Sequence, residues 1–167
     1  MSKFTETLIK IAGAEIGVRE SPKNSNRGKR VDEYKAATWL DPKQAWPWCA
    51  AFVCWAFREA MTQCGVKETT TFKRPRTAGA WDFINWSLAQ DNSTTTNRAP
   101  KAKDVAAGDI IVFNFSHIGI AASSADASGN FKTVEGNTDE SGSREGGGVY
   151  FKTRNISTVK ARIRVNL

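Results

Sequence analysis

The sequence predicts an α+β domain in which N-terminal helices pack on a C-terminal antiparallel sheet. Two patterns carry this reading. Through the first half, apolar residues recur at helical spacing, most clearly after Cys49. After Gly108 they alternate with a period of two, as strands do. The length, 167 residues, suits one domain (1–167, core about 5–165) that builds its core without metal or disulfide staples. Nine Phe and six Trp exclude wholesale disorder. No apolar run is long enough to span a bilayer, so stable membrane insertion is not expected.

Residues 4–17 place Leu8, Ile11, Ala12 and Ile16 on one helical face, interrupted by Glu15. Gly13 weakens the interior and Gly17 the end. Residues 21–30 read as a loop whose basic side chains, Lys23, Arg27, Lys29 and Arg30, face solvent or an anionic partner. Tyr34, Ala37 and Leu40 suggest a short helix before Asp41-Pro42. The central helix is expected over about 48–64. From Cys49, helical steps reach Phe52, Val53, Ala56, Phe57, Ala60, Met61 and Cys64, all apolar. Arg58, Glu59, Thr62 and Gln63 form the opposite face, although Cys54 and Trp55 leave its first turn only partly polar. Pro47 breaks the chain ahead of this helix and Gly65 stops it.

The connection 66–80 contains Lys73-Arg74-Pro75-Arg76. Pro75 interrupts this basic run and no recognised frame surrounds it, so nucleic acid is not expected as a partner. Trp81, Ile84 and Leu88 allow a short helix, and 90–97 reads as loop. Strands are expected at 109–115, 117–122, 131–135, 149–152 and 159–165. His117, Gly119 and Ala121 then share one face, with Ile118, Ile120 and Ala122 on the other. Glu135 and Asn137 share a face if the extended chain continues through Gly136.

Lys and Arg number 24 against 17 Asp and Glu, a net charge of +7. The first 83 residues hold 14 of the basic and nine of the acidic side chains, so the excess lies mostly there. Such a surface favours nucleic acid, anionic lipid or an acidic wall polymer, or serves solubility alone. The start, Met1 to Leu8, lacks the regions of a secretory signal, which predicts retention in a cytoplasm until another device releases the protein. The three cysteines neither pair off nor group as a metal site; no metal or other cofactor is expected.

A cysteine nucleophile needs a base, and the base needs a group that orients its ring. Cys49 falls in the first turn of the central helix, where free N–H groups and the helix dipole favour a thiolate. A small buried hydrophobe is the alternative reading. Cys54 and Cys64 read as packing residues. His117 is the sole histidine and hence the one histidine base available, with Glu135 and Asn137 on the next strand.

The segments Trp48-Cys49-Ala50-Ala51-Phe52-Val53, Gly108-Asp109-Ile110-Ile111-Val112-Phe113, His117-Ile118-Gly119-Ile120 and Val134-Glu135-Gly136-Asn137 occur in this order. Together they resemble the CHAP group of NlpC/P60-like, papain-related amidohydrolases, over roughly residues 5–165. Asn24 to Gly28, with Val31 and Tyr34, fit an approach loop of some relatives. The resemblance implies a papain-like fold and hydrolysis of amide bonds in bacterial peptidoglycan. By it Cys49 is the nucleophile, His117 its base, Glu135 the orienting acid and Asn137 an auxiliary polar group. Some relatives bind calcium ahead of the nucleophile; here Asp32, Glu33 and Asp41 are separated by basic residues, and no such site is expected.

Trp46, Trp48 and Trp81 are candidates to line a substrate cleft, with core packing as the alternative. Arg27, Lys29 and Arg30 are candidates to hold the acidic wall. The resemblance extends to a single-domain phage endolysin, working as a monomer, that waits in the host cytoplasm and reaches periplasmic peptidoglycan through a membrane lesion. A stem-peptide or crosslink endopeptidase is preferred, and an N-acetylmuramoyl-L-alanine amidase is the alternative. A secreted antibacterial amidase and a non-catalytic wall-binding module remain further readings.

Overall fold

The computed structural model describes residues 1–167. Four helices come first: α1 (Lys3–Ala14), α2 (Lys29–Lys35), α3 (Cys49–Cys64) and α4 (Asp82–Leu88). Six strands follow: β1 (Thr94–Asn97), β2 (Ile110–Phe113), β3 (Ile118–Ala121), β4 (Asn130–Thr138), β5 (Gly148–Asn155) and β6 (Val159–Val165). They form one antiparallel sheet in the order β1-β6-β2-β3-β4-β5. This is the α+β architecture that the two periodicities predict.

Ser2 caps α1 by accepting the Thr5 N–H at 3.2 Å. The helix buries Phe4, Leu8, Ile11 and Ala12, with the Phe4 ring 4.9 Å from that of Phe57 on α3. It ends at Ala14, short of the expected 17. Glu15 turns inward to Arg30 and Tyr34, and Gly17 at φ +103° redirects the chain, which leaves Ile16 exposed. Helix α2 starts earlier than Tyr34–Leu40 suggests, so Lys29 and Arg30 belong to its first turn and not to a loop.

Helix α3 begins at Cys49 and closes at Gly65, whose left-handed φ of +68° suits a glycine cap. Nearly every side chain from Cys49 to Phe57 is buried. The amphipathic expectation therefore holds only for the last turns, where Thr62 and Gln63 are exposed. The first turns are enclosed because α1, α2 and strands β3 and β4 all pack on α3.

The sheet has an apolar layer on each face. Ile110, Val112, Ile118, Ile120, Val134, Ala161 and Ile163 join the helices in the main core. Ile111, Phe113, Ala121 and Phe131 form a smaller core with Val105. The stretch 90–97, expected as loop, supplies edge strand β1, with Thr94 opposite Val165 and Asn97 opposite Arg162. Its threonines suit a strand, but the partner lies far along the chain and gives no local signal. Between Glu135 and Thr138 the β4–β5 ladder shifts register, and Asn137 adopts φ +56°. The extended run through Gly136 that would place Glu135 and Asn137 on one face is thus broken.

Phe57 touches the rings of Phe4, Phe72 and Trp86. Phe57→Ala is expected to cost about 3–5 kcal/mol of unfolding free energy, measured by urea denaturation. Thr62→Ala, on the exposed end of the same helix, should stay within about 0.5 kcal/mol of wild type.

Candidate active site

Trp48 fixes where α3 begins. Its side chain is fully buried, its indole N–H donates to Glu20 Oε1 at 2.9 Å, and it stacks on Tyr34 at 5.6 Å. Cys49 follows as the first residue of the helix, 7% exposed. Gly136 lets strand β4 come up against this point. A Cβ there would lie 2.7 Å from Phe52 Cβ and 2.9 Å from the Trp48 ring, so no larger residue fits without moving one of them.

His117 lies just before β3, and its ring is completely buried against Phe113 and Phe115 at 5.8 and 5.7 Å. Nε2 meets Glu135 Oε2 at 2.8 Å. Glu135 also accepts Arg154 Nε at 2.8 Å, Arg154 Nη2 at 2.6 Å and the Thr133 hydroxyl at 2.6 Å. Gly119 makes the room: a Cβ on it would meet Glu135 Cγ at 2.6 Å. Glu135 occupies Nε2, so the interaction of the ring with the Cys49 thiol falls to Nδ1. That nitrogen is buried and has no partner at hydrogen-bonding distance. The Sγ–Nδ1 contact is open in this geometry, as such contacts often are without substrate.

The charges follow from these partners. Burial alone would raise the Glu135 carboxyl, but the Arg154 and His117 hydrogen bonds outweigh it and hold the group well below the usual carboxylate range. Burial alone would lower the His117 ring, but the Cys49 thiol and Glu135 outweigh it and raise the ring above its ordinary value. The raised ring is a better base than an ordinary imidazole, which suits it to take a proton from a neighbouring thiol and return it to a leaving group. Burial pushes the Cys54 thiol up, and its Sγ lies 3.3 Å from the Thr77 carbonyl; Cys64 sits by Thr7. Both pack.

The structure brings together Cys49, His117 and Glu135. Asn137 stands at the bulge beside them, with Nδ2 donating to the Arg144 carbonyl at 3.4 Å and Oδ1 buried without a partner. A cleft of about 270 Å³ opens at Cys49, lined by Trp81, Gly79, Ser116 and Arg144 among others. Trp81 is 44% exposed there, with its indole N–H on the Phe113 carbonyl at 2.9 Å. Trp46 is exposed but outside this lining. Trp48 must be corrected: it is core, tied to Glu20, and presents no surface to a substrate. Arg27 and Arg30 are half-exposed and engaged within the chain. Arg27 pairs with Asp32 and Arg30 with Glu15 and Glu33, while its guanidinium lies 4.5 Å over the Trp55 ring. Lys29 stays exposed.

The acids ahead of Cys49 do not fit a calcium site. Asp32 is taken by Arg27 and Lys35, Glu33 by Arg30, and Asp41 by the Lys43 N–H. Lys35 itself is fully buried, and its ammonium donates to the carbonyls of Asn26 at 2.8 Å and Gln44 at 2.6 Å. Sequence reasoning missed Lys35, Glu20 and Arg154, because a charged residue in an alternating or helical pattern reads as solvent-facing.

The CHAP domain family model matches residues 41–137, more than half of the chain. The chain belongs to the CHAP domain family. Cys49, His117, Glu135 and Asn137 all fall inside the matched segment, and Arg154 outside it. Among solved structures, the crystal structure of a wild type endolysin, LysIME-EF1, is similar at a TM-score of 0.58 and 16% identity. The likeness covers 96% of this chain and 63% of that one, and it concerns the fold. No curated protein matches the chain.

The single histidine makes the charge coupling measurable. A ring whose folded pKa exceeds the unfolded value of about 6.5 adds stability below that value and loses it as pH rises through the folded pKa. A carboxyl with a depressed pKa behaves oppositely, adding stability above its unfolded value and losing it as pH falls. The imidazole NMR titration of CHAP-domain protein should show a midpoint well above 6.5. Glu135→Gln and Cys49→Ala should each lower that midpoint, since each removes a group that raises it. A midpoint unmoved in both variants overturns this assignment.

Proposed function

We propose that this CHAP protein cleaves an amide bond in the stem peptide or crosslink of bacterial peptidoglycan, with Cys49 as nucleophile. The observation that carries the reading is the buried set Cys49, His117, Glu135 and Arg154, in which Arg154 holds Glu135 and Glu135 holds the His117 ring with Nδ1 left for Cys49. The Cys49 proton passes to His117 Nδ1 as Sγ adds to the amide carbonyl carbon. The backbone N–H of Cys49, free at the start of α3, meets the oxyanion. The C–N bond then breaks, and the leaving amine takes its proton from His117, so a thioester remains on Cys49. Water gives a proton back to Nδ1 and adds to the thioester. The C–S bond breaks, and the sulfur recovers the proton as the acid product leaves.

Glu135 keeps Nε2 protonated and Nδ1 directed at sulfur, and Arg154 keeps Glu135 charged. Asn137 is a positioning group that ties the bulge of β4 to Arg144, which lines the cleft. The reading as an endopeptidase is supported by the charged side chains of both signs next to this cleft, which suit peptide ends better than neutral sugar. One chain supplies every group named, which supports a monomer as the working unit. The role is that of a phage lysis enzyme, held in the host cytoplasm and acting on the wall after a membrane lesion. The likeness to an endolysin supports this, and the net charge of +7 supports attraction to an acidic wall. Wall binding should weaken as salt shortens the Debye length from about 10 Å to about 3 Å.

Digestion of purified Gram-negative peptidoglycan tests the bond. New monomeric muropeptides with sugar attached are expected; free stem peptides beside peptide-free glycan would identify an amidase instead. Cys49→Ala should fold and lose nearly all turnover. Retention of more than about a tenth of the wild-type rate is incompatible with a covalent route.

A further inference from the structure

A larger cavity, of about 630 Å³, lies next to the Cys49 cleft. The connection between β4 and β5 separates the two. Arg144 of this connection lines the Cys49 cleft, whereas Asp139, Glu140 and Glu145 line the larger cavity. Its other wall is built by Arg19, Glu20 and Lys23. Four acids and two bases thus face one cavity of a chain whose net charge is +7. The local field opposes that of the molecule, and a cleft concentrates it.

Glu20 distinguishes this cavity from ordinary acidic surface. The residue is only 9% exposed, and its Oε1 accepts the Trp48 indole N–H. Oε2 is buried and has no hydrogen-bond partner, an unfavourable state that a donor entering the cavity would relieve. It points across the wall towards Gly147: a Cβ there would sit 3.5 Å from it, and both residues line the cavity. The acidic side is also held in place. Lys152 donates to the carbonyls of Asp139 and Glu140, and the Gly146 N–H donates to the Asn137 carbonyl at 3.1 Å.

We propose that this cavity binds the zwitterionic end of a diamino acid side chain in the stem peptide, with Glu20 receiving its free ammonium. The proposal rests on the peptidoglycan-hydrolase reading and names the group that reading leaves open. Arg19 is held over the Tyr150 ring at 3.9 Å and donates to the Val18 and Val149 carbonyls. Lys23 is therefore the base left to meet the carboxylate on the same carbon. Excess acid in the lining makes the ammonium the stronger determinant. The same Glu20 holds the residue before the nucleophile, and Asn137 joins the cavity floor to the strand of Glu135. Seating the ammonium thus sets the register of the peptide at Cys49. A directly crosslinked dimer still offers one free centre of this kind, on the stem whose diamino acid is not acylated.

The test is calorimetric binding to full-length Cys49→Ala protein, which does not depend on turnover. The probes are a stem tripeptide ending in a diamino diacid and the same tripeptide acetylated on the side-chain amine. Acetylation should weaken binding at least about tenfold, the scale of one charge-assisted hydrogen bond. Adding Glu20→Gln, which keeps an acceptor for Trp48, should bring the two peptides within about twofold. Should that variant fail to fold, Glu140→Gln with Glu145→Gln on the exposed rim should reduce the preference at least about threefold. Equal binding of both peptides to Cys49→Ala protein overturns the proposal, as does undiminished preference in a folded charge variant. If wild type still digests the wall when the peptides bind equally, the hydrolase reading stands and this proposal alone fails. Absence of wall digestion is a failure of the hydrolase reading instead.

Discussion

Glu135 carries its charge in a place without water, and the site is arranged around the cost of keeping it there. An isolated buried carboxylate would neutralise or disrupt its surroundings. Four hydrogen bonds prevent this: two from Arg154, one from Thr133 and one with His117. Arg154 is mostly buried as well, and its guanidinium lies 5.1 and 5.2 Å over the rings of Phe113 and Phe115. The same two rings stack on His117, so one aromatic pair confines the cation and the imidazole together. Removing Arg154 leaves Glu135 without its ion pair, and removing Glu135 leaves Arg154 unpaired.

The helix and the sheet meet at this point because both give up side-chain volume there. Gly136 lets β4 approach Phe52 and Trp48, and Gly119 leaves space for Glu135. These two glycines are needed for opposite faces of one sheet. The first brings the helix of Cys49 close, and the second seats the acid that holds the His117 ring. The bulge beside Gly136 then releases the strand from its ladder and turns Asn137 towards the 139–147 connection. That connection has Arg144 in one cleft and its acids in the other, so the strand that carries Glu135 also shapes both openings.

The fold was legible in the sequence where pattern and local signals agree. The central helix, with Pro47 before it and Gly65 after it, and the strands after Gly108 follow from periodicity and punctuation alone. What failed was non-local. The strand at Thr94–Asn97 exists because Val159–Val165 returns beside it, and nothing within 90–97 announces that return. Cys49 and His117 could be singled out because cysteines are few and the histidine is single, and Glu135 because the family resemblance places an acid after them. Arg154, Glu20 and Lys35 could not, since an arginine, glutamate or lysine gives no sign in sequence of being buried. Trp48 erred the other way: a tryptophan next to a nucleophile suggests a cleft wall, and only the Glu20 hydrogen bond and the Tyr34 stack show it to be core.

Lys35 shows how the approach to Cys49 is held by the chain's own side chains. The segments 21–28 and 36–48 contain no helix or strand, so their backbone oxygens need partners other than a ladder. A fully buried ammonium supplies them. It joins the Asn26 carbonyl of the first segment, the Gln44 carbonyl of the second and the Asp32 carboxylate of the helix between. Gln44 lies five residues before Cys49, so this contact limits how far the chain leading into α3 can move. The cation is part of the chain and cannot dissociate. Two neighbouring cations complete the pairing: Arg27 shares Asp32 with Lys35, and Arg30 takes Glu15 and Glu33. Basic side chains that looked available to an acidic wall are thereby consumed in fixing the geometry at Cys49.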